Sequence, residues 1–348
     1  MSVARGFRQN LSKESATALT VGAAGAAVFA ALGLPVPFLT GSAVAVTVAA
    51  IMGLSLSLPA GLANSCILFI GIGIGSSVTP DFLQYAMTWP LSFVVLAGTL
   101  VIGVFSCRYA LVRLFGFDLV SATLAAVPGH LSFVLGLAVD LPADMRRVAL
   151  VQCMRVLFLT LLVPSLLSIW GMEVKAAPAP TDAMEMFDLL VLALVALALA
   201  TFLVRVGAPA AWLFGGMLVS GIGHFAGVTP GTPPGWITAA ALLVMGTLIG
   251  TRFHGYSPNE LRRDIGAGIF VTVLACALAS SGATVVAIAL GLPAELLLIS
   301  FAPGGVEAMS AMALQLGLEP TFVASHHVFR LLVLTILVPL FIVKLARN

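Results

Sequence analysis

The chain has 348 residues, 60% of them hydrophobic and 9% charged, with a mean hydropathy of +1.14. Water-soluble domains do not carry that balance, so lipid is the expected solvent and membrane lipid the first expected partner. Sixteen Lys and Arg against fourteen Asp and Glu leave a net charge of +2, too small and scattered for a nucleic-acid surface, and direct nucleic-acid binding is not expected.

In chain order, residues 1–16 form a basic tail carrying Arg5, Arg8 and Lys13. The apolar run from Thr17 to Leu34 has the look of a signal peptide, but no hydrophilic mature domain follows it, so it reads as a first, retained membrane helix. A spanning helix needs about 20 mostly apolar residues. Further runs of that kind lie at about 38–56, 60–78, 88–112 and 147–171, then at 186–205, 209–227, 234–252, 264–290 and 321–345. This predicts an all-α integral membrane fold with ten transmembrane helices.

Two segments are of another kind. Residues 117–140 and 294–316 are apolar but interrupted, by Pro128-Gly129-His130 and by Pro303-Gly304-Gly305. Proline removes a backbone donor and glycine loosens the helix, so each segment predicts two arms of about 10 residues, each about 15 Å long. Such arms reach half-way through the hydrocarbon.

The chain repeats itself. RVLFLTLLVP, from Arg155 to Pro164, returns as RLLVLTILVP from Arg330 to Pro339, with seven of ten positions identical at an offset of 175. At that offset Pro128-Gly129 matches Pro303-Gly304, Asp144 matches Glu319, and GIGIG from Gly71 matches GTLIG from Gly246; Gly33-Leu-Pro35 pairs with Gly207-Ala-Pro209 at 174. The expected organisation is a tail (1–16), a first membrane repeat (17–171), a linker loop (172–185) and a second membrane repeat (186–348).

Basic residues predict the orientation. If the broken segments turn back, each half has five spans and the halves are inverted. With the N-terminus in the cytoplasm, Arg5, Arg8, Lys13, Arg108, Arg113, Arg146, Arg147, Arg205, Arg252, Arg262, Arg263, Lys344 and Arg347 then lie inside and only Lys175 outside, thirteen against one. If the broken segments crossed, the same loops would divide eight to six. The tally favours inversion, while a crossing with another span miscounted stays open.

Arg155 and Arg330 sit about 12 and 14 Å into their helices, near the midplane, where an arginine costs about 2.5 to 3.5 kcal/mol. A fold-holding ion pair or snorkelling would explain them, but lining a polar cavity is the expected role. His326 and His327 precede Arg330 by four and three residues on one helical face, and Gln152 holds the matching place before Arg155. No third ligand stands at metal-binding spacing, so no metal and no cofactor is expected. Glu307, just past the second break, is the one carboxylate expected deep in the membrane; its counterpart is Ser132. Glu307 and His130 read equally as structural partners or as proton-coupling groups. The breaks are expected to aim half-helix N-termini, each about +0.5 charge, at one another, making the centre electropositive. That points to a small anionic solute, with Glu307 or a histidine titrating. Cys66, Cys107, Cys153 and Cys276 lie in apolar segments and read as packing residues. Glycines 71, 73, 75, 246 and 250 read as close helix contacts.

The paired PGH and PGG breaks, the GxPxxxLxG segments at Gly33–Gly41 and Gly207–Gly215, and the RxLxLTxLVP helices together resemble the membrane AbrB family, a bacterial group defined by this duplication. The resemblance covers residues 17 to 345. It implies a fold similar to inverted-repeat cation-proton antiporters and anion transporters, in the bacterial inner membrane; no functional residues are carried over. Family labels include regulator of gene expression and ammonia monooxygenase, and the name is shared with a small DNA-binding regulator that this apolar chain does not resemble. Three readings follow: a secondary transporter, a membrane protein acting indirectly on gene expression, and a monooxygenase, for which His130, His224, His254, His326 and His327 form no convincing ligand set. The transporter is preferred and an enzyme is not expected. A homo-oligomer is compatible with the composition.

Overall fold

The computed structural model describes residues 13–78, 89–128, 143–169, 183–208, 210–229 and 231–346, and every regular element among them is a helix. In chain order these are α1 (Lys13–Ala31), α2 (Pro37–Ile51), α3 (Ala60–Gly75), α4 (Pro90–Phe115), α5 (Leu119–Ala126), α6 (Met145–Ile169), α7 (Met186–Arg205), α8 (Ala211–Phe225), α9 (Gly235–Thr251), α10 (Pro258–Leu290), α11 (Ala294–Phe301), α12 (Val306–Gln315) and α13 (Pro320–Ala346). Six of them, α1, α4, α6, α7, α10 and α13, are long and apolar enough to cross a membrane. The chain is an all-α membrane protein.

The ten long apolar runs of the sequence all appear as helices, but four are shorter than the runs suggest. Helices α2, α3, α8 and α9 have 15, 16, 15 and 17 residues, about 22 to 26 Å at 1.5 Å per residue. Local chemistry trims them. Gly33 and Gly207 take positive φ ahead of the prolines, and Val36 and Ala210, the N-cap residues of α2 and α8, are both left-handed, at φ 52° and 49°. A non-glycine residue there costs about 1 to 2 kcal/mol, and the same device recurs at an offset of 174.

The helices form two bundles, each drawing on both halves of the chain. One holds α1, α2, α3, α7, α8 and α9; the other holds α4, α5, α6 and α10 to α13. Each strong pairing has a counterpart: α1 with α2 and α7 with α8, α3 with α8 and α9 with α2, α4 with α13 and α10 with α6. Glycine makes the first bundle tight. A Cβ on Gly71 would collide with the carbonyl of Leu213, and one on Gly246 with that of Leu39. Only a missing side chain lets these backbones touch.

Polar contacts identify two ends. At one, Ser57 donates to Glu14 (2.9 Å), His254 Nδ1 meets the Leu54 carbonyl (3.3 Å) and Arg146 donates to Gly255 O (2.7 Å). With the bond from Arg147 to Phe115 O (3.3 Å), the starts of α1, α6 and α10 and the ends of α2, α4 and α9 share that end. At the other, Ala183 bridges Thr232 just before α7 and α9, and Trp89 packs edge-on against Phe322, ring centroids 5.0 Å apart, at the starts of α4 and α13.

Candidate functional site

Helix α5 begins at Asp118, whose Oδ1 accepts from the Ser121 amide (2.8 Å), and ends before Val127-Pro128. Helix α11 ends at Phe301; Ala302, Pro303, Gly304 and Gly305 break the chain before α12. Each break leaves helix-end carbonyls without an intrahelical partner. Side chains from the neighbouring long helix meet them. Gln152 Nε2 donates to Leu124 O (2.9 Å), and Arg155 donates to Val127 O (2.9 Å) and Ala125 O (3.4 Å). At the matching positions of the second half His327 Nε2 donates to Ile299 O (3.0 Å), and Arg330 donates to Ala302 O (2.6 Å) and to Gly304 O.

Four of these bonds span the same 28 residues: Gln152 to Leu124, Arg155 to Val127, His327 to Ile299 and Arg330 to Ala302. Equal steps in the same direction mean that α5 runs parallel to α6, and α11 parallel to α13. The Asp144 amide, just before α6, also donates to Ser121 Oγ in the first turn of α5 (2.8 Å).

Among the described residues the arginines meet the C-terminal carbonyls of α5 and α11, where a cation opposes the negative end of the dipole; the arm expected after the first break lies outside the described residues. The N-terminus described at a break is that of α12, with Glu307 in its first turn, half-buried and within electrostatic range of Arg330. His130, Ser132 and Gly129 lie outside the described residues.

Arg155 and Arg330 are 1% and 2% exposed, and each keeps an Nε–H without a partner; Gln152 Oε1 and His327 Nδ1 are likewise buried and unpaired. Arg330 borders a small cleft between α4 and α10, with room for about 30 Å³, which both breaks reach through Pro128 and Pro303. The site is thus a pair of cationic caps, of which Arg330 borders a space of apolar walls.

The sequence put His326 and His327 on one face, but the structure separates them. His326 turns to α4, where its ring is stacked between Phe93 (4.6 Å) and Phe322 (4.0 Å), with Trp89 and Phe301 about it. Its Nδ1 bonds Phe322 O (2.8 Å), so Nδ1 carries a proton, and its Nε2 meets Ser92 Oγ (2.7 Å), itself 2.7 Å from Trp89 O. Sequence reasoning passed over Ser92 and Trp89; the only trace was their place at the start of a span.

At the other end Asp264, 1% exposed, takes two bonds from Arg147 (3.0 and 2.8 Å) and two from Arg263 (3.1 and 2.8 Å). Arg147 also donates to Phe115 O (3.3 Å) and lies 3.8 Å over the Phe117 ring. Burial pushes the nearby Tyr256 hydroxyl up to about 12. Among the described residues no three His, Cys, Asp or Glu side chains are grouped to hold a metal.

Comparison with known proteins bears on what this arrangement is for. Residues 38–346 match the family described as Transition state regulatory protein AbrB. The chain is also 28% identical over 292 residues to the Uncharacterized protein YhjN of Bacillus subtilis (strain 168), covering 79% of this chain and 76% of that protein. No solved structure matches.

Proposed function

The chain belongs to the membrane AbrB family, and on that premise we propose that it is a secondary transporter of a small anionic solute, built from two inverted repeats around a mid-membrane site. The observation that carries the reading is the pair of buried arginines at the two helix breaks, each with an Nε–H still free for an acceptor. Broken helices at matching positions of two repeats are where transporters bind.

The repeat reading is supported by the matching cap residues Val36 and Ala210, by the glycine contacts of Gly71 and Gly246, and by the cap bonds that recur at an offset of 175. Inversion is favoured because matched helices start at opposite ends, α6 beside Arg146 and Gly255 and α13 beside Trp89. The parallel register of α11 with α13, together with the four residues from Leu316 to Glu319 that join α12 to α13, favours a segment that enters and leaves on one face. The Asp144 to Ser121 bond sets the start of α6 beside the start of α5, in keeping with that reading. Arg146, Arg147, Arg252 and Arg263 gather toward one end, which we assign to the cytoplasm of a bacterial inner-membrane protein with its N-terminus inside.

Glu307 is the group we assign to proton coupling. It stands in the first turn of α12, within electrostatic range of Arg330, where a carboxyl exchanging a proton would change the pull on an anion. The test is charge movement and internal pH in proteoliposomes given a panel of anions, for wild type, Glu307→Gln and Arg330→Lys. Anion-dependent current that loses its pH signal in Glu307→Gln is expected; a folded wild type silent to every anion refutes transport. The family description favours a second reading, an effect on gene expression, and we assign it to the metabolite moved. A transport-dead variant that still restores the transcript pattern of a deletion strain would overturn that assignment.

A further inference from the structure

The outer face of α4 carries two arginines that the helix breaks leave unused. We infer that Arg108 and Arg113 hold the phosphate of an anionic phospholipid, whose acyl chains lie along the apolar stripe beneath them on the same helix. Helix α4 is an apolar span of 26 residues, about 39 Å long against about 30 Å of hydrocarbon. Its exposed positions recur every three or four residues, through Val94, Ile102, Phe105, Tyr109 and Arg113. That is the spacing of one helix face, and an apolar face left bare on a membrane span meets lipid.

Arg108 is half-buried at the edge of this stripe, seven residues before the end of α4 at Phe115. With the overhang of the helix shared between its two ends, the Arg108 backbone lies about 6 Å inside the hydrocarbon. Its guanidinium lies 4.8 Å over the Phe105 ring, one turn deeper, and that of Arg113 lies 5.9 Å over the Tyr109 ring. Stacking uses the face of a guanidinium and leaves its N–H edge in need of an acceptor. Among the described residues the ion pairs at this end belong to Arg146, Arg147 and Arg263, and neither Arg108 nor Arg113 has a carboxylate or a hydrogen-bond partner. An unpaired arginine facing lipid is unfavourable in hydrocarbon. A headgroup phosphate drawn down to it supplies both the charge and a two-oxygen acceptor. The two arginines are about 7.5 Å apart along the axis and flank the Phe105–Tyr109 line, within reach of one glycerophosphate headgroup. Two cations without an acid favour a net-negative headgroup, because a zwitterionic one brings its own cation. The site does not depend on what the protein carries.

The experiment is displacement of tail-labelled fluorescent phosphatidylglycerol from the delipidated full chain in a neutral detergent, read by anisotropy. Phosphatidylglycerol should displace the label at about thirty-fold lower mole fraction than phosphatidylcholine, about five-fold for each arginine. Arg108→Gln and Arg113→Gln should each remove about five-fold of that preference, and the double variant all of it. Arg205→Gln, which alters an exposed arginine at the end of α7, should leave it unchanged. In wild type a phosphatidylglycerol with a diazirine in its acyl chain should label α4 between Val94 and Tyr109, a result that stands even if the double variant folds poorly. Equal displacement by the two lipids, a preference that survives the double variant, or one that Arg205→Gln lowers as much would overturn the inference. So would glycerol 3-phosphate displacing the label as well as phosphatidylglycerol does, which assigns the arginines to free phosphate, and so would diazirine label spread evenly over the lipid-facing helices.

Discussion

Replacing Arg330 by Met asks whether the arginines hold the breaks together. The substitution keeps length and apolar stem but removes two charge-assisted bonds, to Ala302 O at 2.6 Å and to Gly304 O, and leaves both carbonyls buried. Bonds to a charged group contribute about 1.5 to 3 kcal/mol each, so a loss of about 3 to 6 kcal/mol is expected for the two. Arg155→Met should be milder, about 2 to 3 kcal/mol, because its second bond, to Ala125 O at 3.4 Å, is near the limit of a useful hydrogen bond. Lysine can reach one carbonyl with a compact ammonium and should recover about half of either loss. Denaturant unfolding in mixed micelles, followed by the near-ultraviolet signal, gives the four values. Met variants as stable as wild type, or Arg155→Met the more damaging, would refute the capping role and leave the guanidiniums as ligand groups alone.

Three further outcomes follow from the packing. Asp264→Ala should lose about 2 to 4 kcal/mol, since Arg147 keeps a largely buried charge without its partner; Arg147→Leu with Asp264→Leu should recover most of it, and additive losses in the double-mutant cycle would contradict the pair. Gly71→Ala and Gly246→Ala should each lower stability by about 1 to 3 kcal/mol because the new methyl meets backbone, whereas Gly98→Ala, in open space mid-helix, should gain about 0.5 to 1 kcal/mol; melting temperatures in one detergent decide this. Burial raises the Glu319 carboxyl above the ordinary carboxylate range. A folded-state pKa above the unfolded value gives stability that is full below the unfolded pKa and is lost as pH rises through the folded one, so wild type should weaken over that window and Glu319→Gln should not.

Ten apolar runs, two proline-glycine interruptions and the 175-residue offset could be read from the sequence because length, hydropathy and repetition are one-dimensional properties. So could the presence of two arginines, a glutamine and a histidine at matched places within long apolar helices. What those groups touch could not be read. Whether Arg155 faces a helix N-terminus or a C-terminal carbonyl depends on which neighbouring helix runs beside it and in which direction, and the parallel pairing of α5 with α6 is a tertiary fact.

Matched positions also part company in space. The ion pair of Arg147 and Asp264 occupies the places that Phe322 and Trp89 hold in the other half, and Val151 and Ala267 stand where His326 meets Ser92. A repeat in sequence predicts the same backbone path twice. It does not predict that one interface is joined by charge and the other by stacked rings, because that depends on residues about 117 to 234 positions apart meeting across two helices. Sequence by itself determined the long apolar helices and the motifs that recur at an offset of 175, through hydropathy and spacing; the tertiary structure alone decided the caps, the cleft and the separation of His326 from His327, because hydrogen-bond direction and helix adjacency exist only in three dimensions.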